Sequence, residues 1–308
     1  MLSGRIVRGL GMAKFLTRSG LTTLLPRQAD IALRLLDATR PTELEISASA
    51  TDMGSRVETS GEVAIFRGCT ADLFPSVDGA VNRVLKTNGL EPYAPVEQGC
   101  CGALHAHSGF IEEARRLARN NIDAFNGTEG TIVTSAGGCG AMLVDYGDLL
   151  ADDPEYNVAA SKFAARVKDI GQVLKDPRAV VVTSSKERVT YDMSCHLLHG
   201  QHAGEESRGM LKAIEGLEIV PLEDSDVCCG GAGIYNLLEP DLSEDILARK
   251  VDQICASGAT LVATANPGCH MQIARGLAER QNSAVRVCHP VEILDQSYRS
   301  AGLYSGDD

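Results

Sequence analysis

The chain has 308 residues, of which 44% are hydrophobic, and it carries a net charge of −12 at pH 7. An acidic chain with only 4% aromatic residues lacks the positive field and the stacking side chains that nucleic-acid binding needs, so no nucleic-acid partner is expected. No stretch approaches the roughly 18 apolar residues of a membrane-spanning helix, and we expect a cytoplasmic protein with no transmembrane segment.

Residues 1–60 are expected to form a basic helical connector. The first 29 residues carry five basic side chains and no acidic one, namely Arg5, Arg8, Lys14, Arg18 and Arg27. Apolar residues with helical spacing follow between Ile31 and Leu36, and a stretch rich in Ser, Thr and Gly at 47–61 predicts a connector. We therefore expect the first compact domain to begin at residue 61.

Residues 61–178 show alternating strand and helix signals. The apolar run VAIF (63–66) predicts a strand, residues 77–85 a helix that ends at Gly89, and residues 93–96 a short extended piece. A second amphipathic helix over 111–125 is closed by Gly127, and TIVTSAGGC (131–139) is strand-like, with turn glycines around Cys139. This order is typical of a parallel α/β unit.

Residues 179–308 repeat the same pattern. Cys-Cys-Gly recurs at 228–230 after its first occurrence at 100–102, and TLVATANPGC (260–269) matches the earlier strand-like string. The fold class is therefore predicted to be α/β, with two duplicated Rossmann-like units that have mainly parallel sheets, preceded by the helical connector.

Ten cysteines are the unusual part of the composition. Adjacent pairs argue against a disulfide framework, because neighbouring Cα atoms lie about 3.8 Å apart, closer than an unstrained disulfide spans. Eight cysteines recur with nearly the same spacing in the two halves. They are Cys69, Cys100, Cys101 and Cys139 in the first half and Cys195, Cys228, Cys229 and Cys269 in the second. This repetition favours metal ligation or redox chemistry over scattered core cysteines.

The predicted strands place these cysteines at the carboxyl ends of the sheets, where open α/β folds bind ligands. Both sulfurs of a Cys-Cys step can reach one site only from a turn, and Gly102 and Gly230 allow such a turn. Zinc and iron–sulfur clusters both take four thiolates, and neither the short C-x-x-C pairs of zinc sites nor the ferredoxin spacings are present. Spacing alone leaves the metal open.

The pattern C-x30-CCG-x36-C followed by C-x32-CCG-x38-C resembles the paired cysteine-rich CCG domains of the glycolate oxidase (glycolate dehydrogenase) iron–sulfur subunit, of lactate-utilisation proteins and of the cysteine-rich subunit of heterodisulfide reductase. The strings that carry the likeness to the glycolate oxidase subunit are QGCCGALHAHSG (98–109), DMSCHLLHGQ (192–201), CCGGAGIYNLLEPDLSEDIL (228–247) and NPGCHMQI (266–273). The likeness covers about residues 60–300.

This resemblance implies up to two 4Fe-4S clusters, held by the eight repeated cysteines, in an oxidoreductase complex. Flavin-binding glycolate oxidase subunits would oxidise the substrate, and electrons would pass to a membrane acceptor such as quinone, with the complex peripheral on the inner membrane. The family's N-terminal ferredoxin-like domain is absent, so the chain is expected to begin downstream of it. No residue of this chain is expected to be catalytic.

Two alternatives to this function stay open. One is a lactate-utilisation iron–sulfur subunit or a heterodisulfide-reductase-B-like thiol/disulfide reductase subunit; the other is a metal-stabilised scaffold without electron transfer. The heterodisulfide reductase relative ends each repeat in C-x-x-C, whereas Ala136 and Asn266 stand at the earlier position here, which favours an electron-transfer cluster over a disulfide-cleaving site.

The remaining histidines and cysteines are weaker candidates. Four histidines near the cysteines are each expected to make capping or solvated polar contacts rather than to bind the metal: His105, His107, His196 and His270. Cys255 and Cys288 have no counterpart in the first half and are expected to be core residues.

Overall fold

The computed structural model describes residues 16, 19, 24–51, 61–280 and 284–304. Most of the predicted basic segment, including Arg5, Arg8, Lys14 and Arg18, lies outside these residues. The predicted helix is present as α1 (Arg27–Asp37). Part of the stretch expected to be a connector instead forms strand β1 (Ile46–Ala50), in which Ile46 and Ala48 are buried while Ser47 and Ser49 are exposed. This alternation is what a half-buried strand requires.

The first half contains a four-stranded parallel sheet with the order β3-β2-β4-β5. Its elements are β2 (Gly61–Phe66), α2 (Pro75–Thr87), β3 (Leu90–Tyr93), α3 (Ala103–His107), α4 (Ile111–Ala124), β4 (Ile132–Thr134), α5 (Gly137–Val144), α6 (Tyr146–Leu149), α7 (Asn157–Arg166), β5 (Val167–Asp169) and α8 (Ile170–Val173). The strand and helix order matches the prediction.

Two local predictions for this half were wrong. The extended piece expected at 93–96 lies earlier, because residues 90–93 pair in register with β2, and the edge position of β3 tolerates Pro92. Gly137 and Gly138 were expected in a turn, but they form the first turn of α5. Helices α2 and α4 end where predicted, just before Gly89 and Gly127, and both glycines have a positive φ.

The second half contains another four-stranded parallel sheet, with the order β11-β10-β7-β9. Its elements are β6 (Val180–Ser185), β7 (Arg188–Asp192), a π-helical turn (His196–Gly200), α9 (Gly204–Lys212), β8 (Ile214–Glu215), β9 (Glu218–Ile219), α10 (Tyr235–Leu238), α11 (Pro240–Ala256), β10 (Leu261–Thr264), α12 (Pro267–Glu279), β11 (Arg286–Cys288) and α13 (Pro290–Ser300).

A third sheet joins the start of the chain to the second half. Strand β6 pairs with β1 in antiparallel fashion and with β8 in parallel. Helix α13 packs against both β1 and α2. The largest hydrophobic core therefore includes residues from both halves, such as Val63 and Val81 from the first and Val189 and Leu294 from the second. The α/β class and the two parallel-sheet units are confirmed.

Candidate metal centres

The first cysteine set consists of Cys69, Cys100, Cys101 and Cys139. Cys69 lies in the turn after β2, the adjacent pair lies between β3 and α3, and Cys139 lies in the first turn of α5, which follows β4. Each segment thus leaves the sheet at the carboxyl end of a strand. Cys101 and Cys139 are buried, and the other two sulfur-bearing residues are half-buried.

The second cysteine set consists of Cys195, Cys228, Cys229 and Cys269 and repeats this arrangement. Cys195 follows β7, the adjacent pair follows β9, and Cys269 lies in the first turn of α12 after β10. Cys229 and Cys269 are buried, whereas Cys195 and Cys228 are half-buried.

A left-handed glycine forms the turn in each Cys-Cys-Gly segment. Gly102 has φ +88° and Gly230 has φ +83°, which is backbone that side-chain-bearing residues rarely adopt. The Gly102 amide donates to Cys100 Sγ at 3.5 Å, and the Gly230 amide donates to Cys228 Sγ at 3.3 Å. The turn that a Cys-Cys step requires to present both sulfurs to one site is therefore present in both halves.

The sulfurs of each set are linked by side-chain contacts. In the second set, Cys229 Sγ and Cys269 Sγ lie 3.3 Å apart. The other contacting pairs are Cys69 with Cys100, Cys100 with Cys101, Cys101 with Cys139, Cys195 with Cys228, and Cys228 with Cys229. Four neighbouring thiols are a donor set that soft metals and iron–sulfur clusters prefer.

Both cysteine sets open onto one cavity of about 290 Å³, which all eight cysteines line. The rest of its wall is largely apolar and includes Leu35, Leu104, Ile234 and Met271. Among the residues that the structure describes, no three Cys, His, Asp or Glu side chains surround a point as the ligands of a single metal ion would. Each set is a row of contacting thiols along the wall of a shared cavity.

Hydrogen bonding between thiols separates their pKa values. Hydrogen bonds with Cys101 and Cys69 lower the pKa of Cys100 to about 2, and the contact with Cys195 lowers the pKa of Cys228 to about 2 in the same way. Hydrogen bonding to a neighbouring thiol raises the pKa of Cys69, Cys101, Cys195 and Cys229. The first cysteine of each pair is thus the first to become a thiolate, the form that binds metal.

Two fully buried side chains hold the Cys-Cys-Gly loop of the first half. Asn121 accepts a hydrogen bond from the Gly99 amide at 2.8 Å and donates to the Cys100 carbonyl at 2.9 Å. The Tyr146 hydroxyl donates to the Cys101 carbonyl at 2.8 Å and accepts from Asn121 Nδ2 at 2.9 Å. Neither residue was predicted from the sequence, although Asn121 is a polar residue on the apolar stripe of α4.

The second half uses a buried ion pair at the corresponding place. Lys250 Nζ lies 3.0 Å from Asp192 Oδ1, and both side chains are at most 2% exposed. Lys250 also donates to the carbonyls of Asp224 at 2.9 Å and Ser225 at 3.2 Å, in the loop that leads to Cys228. Like Asn121, this residue lies on the second helix after the Cys-Cys-Gly segment; it holds the backbone of the loop just before that segment.

Asn266 links the two cysteine sets. Its Nδ2 donates to Cys269 Sγ at 3.3 Å, and its Oδ1 accepts from the Gly138 amide at 3.1 Å, next to Cys139. The Gly137 amide also donates to the carbonyl of Ala265 at 3.0 Å. Helices α5 and α12 therefore begin beside each other, and each carries the last cysteine of its set.

The four histidines fall into two groups. His107 and His196 line the shared cavity, and their rings stack with centroids 5.7 Å apart. His196 Nδ1 lies 3.8 Å from Cys195 Sγ. His105 and His270 do not line that cavity, and His270 is buried with its ring edge-on to Phe74.

The two remaining cysteines differ from each other. Cys288 is fully buried, as predicted, but Cys255 is exposed, so its assignment to the core was wrong. The buried stripe of α11 includes Leu247, Val251 and Ile254. Successive residues of a helix are rotated by about 100° around its axis. Position 255 therefore points about 100° away from the buried Ile254, beyond the edge of the stripe.

Within the described part of the chain, no helix combines the length and apolarity that crossing a bilayer requires. The family model of the CCG cysteine-rich domain matches residues 63–144 and 189–274. Each match contains one cysteine set and lies within one of the two parallel-sheet halves.

Curated relatives agree with this match. The chain is 36% identical over 293 residues to the probable glycolate oxidase iron-sulfur subunit of Bacillus subtilis. This alignment covers 92% of the chain and 65% of that protein, so the chain spans less than two thirds of that relative's length. It is 33% identical to lactate utilization protein A of Shouchella clausii over 76% of this chain and 98% of that protein. The chain belongs to the family of proteins with paired CCG cysteine-rich domains.

Proposed function

We propose that this chain is an electron-transfer subunit that holds two 4Fe-4S clusters, one on each cysteine set. The observation that carries the proposal is that four contacting thiols in each half, from a strand-end turn, a Cys-Cys-Gly turn and a helix start, line one cavity. Four thiolates are the usual ligands of such a cluster. The clusters, when bound, supply one-electron redox chemistry; the chain holds and tunes them.

The relatives suggest which reaction these electrons come from. By similarity to the glycolate oxidase subunit, we propose that flavin-binding partner subunits oxidise glycolate and that the electrons leave through this chain to a membrane acceptor such as quinone. The chain would then be a cytoplasmic member of an oxidoreductase complex, peripheral on the inner membrane. Substrate chemistry would occur on the partners.

A second candidate substrate is lactate. The lactate utilization protein A relatives are covered almost over their whole length, 98% in the one from Shouchella clausii.

We also propose the division of the chain into a connector (1–60), a first CCG unit (61–178) and a second CCG unit (179–308). The family matches lie inside the two proposed units.

Anaerobic purification followed by iron and acid-labile sulfide analysis tests the cluster proposal. We expect about eight irons and eight sulfides per chain, and a spectrum that bleaches on reduction. Cys101→Ser and Cys229→Ser should each remove about half of the iron. Cys255→Ser is the matched control, because this cysteine is exposed and belongs to neither set.

Other outcomes would contradict the proposal. Zinc without sulfide would indicate a metal-stabilised scaffold. Reduced clusters that cleave a disulfide would indicate a thiol/disulfide reductase.

Co-purification with a flavoprotein that reduces the chain in the presence of glycolate or lactate would identify the substrate.

A further inference from the structure

The environments of the two cysteine sets differ at the last cysteine of each set. Cys139 and Cys269 occupy the same position, the third residue of a helix that begins after a parallel strand. The residue just before each helix is Ala136 in the first half and Asn266 in the second, and both have extended backbone. The two sites therefore share a backbone frame but differ in the side chain at this position.

That side chain supplies a hydrogen-bond donor to sulfur. Asn266 Nδ2 lies 3.3 Å from Cys269 Sγ, and its own carbonyl oxygen is fixed by the Gly138 amide at 3.1 Å. The amide is 9% exposed and cannot turn its donor away without losing the second contact. Ala136 has no polar side-chain atom, so the first set lacks this donor.

A second position differs in the same direction. The Cys269 thiol donates a weak hydrogen bond to Ser194 Oγ at 3.8 Å. The residue in the same place before Cys69 is Gly68, whose added Cβ would lie 3.4 Å from Cys139 Sγ. Ser194 thus places a hydroxyl beside the last sulfur of the second set, and this hydroxyl can donate once the sulfur has lost its proton, whereas Gly68 has no side chain to do so.

Hydrogen bonds to a ligand sulfur stabilise the more negative, reduced state of an iron–sulfur site and so raise its potential. The buried Lys250 and Asp192 lie beside the second set and form an ion pair with no net charge. This pair therefore adds no net charge that would offset the rise in potential. We infer that Asn266 gives a cluster on the second cysteine set a higher reduction potential than one on the first set. The cluster on the second set would then accept an electron first.

This inference rests on the proposed function, because it requires a cluster on each set. Asn266 acts through Cys269 and is a positioning and tuning residue. The test is a reductive titration of the full chain with dithionite, followed by electron paramagnetic resonance. Each dithionite-derived electron reduces one set, and Cys101→Ser or Cys229→Ser assigns the two signals.

Asn266→Ala should shift the potential of the second set downward and leave that of the first unchanged. Ala136→Asn, which adds the donor to the first half, should shift the first set upward. Asn236→Ala is the matched control: this buried amide lines the same cavity but donates to Gln272 Oε1 at 2.9 Å and should shift neither potential.

The inference is overturned if both sets carry iron and Asn266→Ala leaves the second potential where it was, or if the first set is the higher one in the unchanged chain. If Asn266→Ala loses iron from the second set, Ala136→Asn decides, and an unmoved first potential then overturns the inference. Absence of iron from the unchanged chain would instead defeat the proposed function, and iron analysis separates the two failures.

Discussion

The imidazole of His107 stacks on that of His196, with ring centroids 5.7 Å apart and planes inclined by 23°. One ring comes from α3 in the first half and the other from the π-helical turn in the second half. Both line the cavity onto which the two cysteine sets open. The two repeats therefore meet at their candidate centres and not only through their hydrophobic core.

Removal of the buried ammonium in the second half should be strongly destabilising. Lys250→Met leaves Asp192 buried without its partner, and we expect the free energy of unfolding to fall by about 3–5 kcal/mol in urea titrations. Adding Asp192→Leu should recover much of this loss, because the unpaired carboxylate is then gone.

The control for this experiment is an exposed ion pair. Lys186 pairs with Glu45 at 3.0 Å, with the two side chains 85% and 60% exposed, and Lys186→Met should cost about 1 kcal/mol or less. Equal effects of the two lysine substitutions would contradict the assigned role of Lys250.

The two Cys-Cys-Gly glycines should differ in their tolerance of a methyl group. An added Cβ at Gly230 would lie 2.7 Å from the Ser243 carbonyl oxygen, whereas at Gly102 the nearest atom is Ala114 Cα at 3.3 Å. Both substitutions to Ala strain a left-handed residue by about 1–2 kcal/mol. Gly230→Ala should therefore lower the unfolding free energy more than Gly102→Ala, and a reversed order in thermal or urea unfolding would refute this.

The hydroxyl that holds the first loop can be removed alone. Tyr146→Phe deletes the hydrogen bonds to the Cys101 carbonyl and to Asn121, and we expect a loss of about 1–2 kcal/mol together with weaker iron retention by the first cysteine set. Tyr191→Phe is the control, because its hydroxyl donates to the Gly204 carbonyl at 3.1 Å. It should lower stability without lowering iron retention by the first set.

Two buried histidines should make the fold acid-sensitive. Burial lowers the pKa of His270 to about 4, and burial, followed by the neighbouring His270, lowers that of His289 to about 3. Because the unfolded chain takes up these protons near pH 6.5, the contribution of the two histidines to the unfolding free energy should be constant above that pH and fall toward pH 4. Each group contributes about 1.4 kcal/mol per pH unit.

The variant His289→Asn tests this origin. His289 Nδ1 accepts the Val291 amide at the start of α13, and asparagine can replace this cap. The substitution should make the acid dependence in urea titrations shallower while preserving stability at pH 7. An unchanged slope would exclude His289 as a cause.

Thiol accessibility checks the corrected position of Cys255. In the native chain, iodoacetamide should modify this exposed cysteine quickly, and Cys288, which is fully buried, only after denaturation. Mass spectrometry of the digested protein gives both rates. Slow labelling of Cys255 would restore its place in the core.

The sequence predicted those features that depend on local periodicity. Apolar spacing predicts helices α2 and α4 and the strands before Cys69, Cys139 and Cys195. The backbone freedom of Gly102 and Gly230 predicts the turns after the two cysteine pairs. Cys255 was misplaced because it lies one residue beyond a buried position, where periodicity alone sets no sharp limit.

Long-range contacts were beyond this reasoning. Asn266 was noted only as a residue in place of a cysteine, and its link from Cys269 to Gly138 depends on how the two halves meet. Asn121 and Lys250 interact with loops more than 20 residues away in the chain. The pairing of β1 with β6 likewise joins parts of the chain that local patterns cannot connect.

The pairing of β1 also bears on the order of folding. The Ala48 amide donates to Ser300 Oγ at 2.9 Å across 252 residues of sequence, and Thr51 Oγ1 donates to the Ala179 carbonyl across 128. During synthesis, residues 46–50 have no partner strand until β6 has been made, and contacts of such separation form slowly. The exposed Ser47 and Ser49 keep one face of this strand polar while it is still unpaired. Strand β1 is thus synthesised well before the strand with which it pairs.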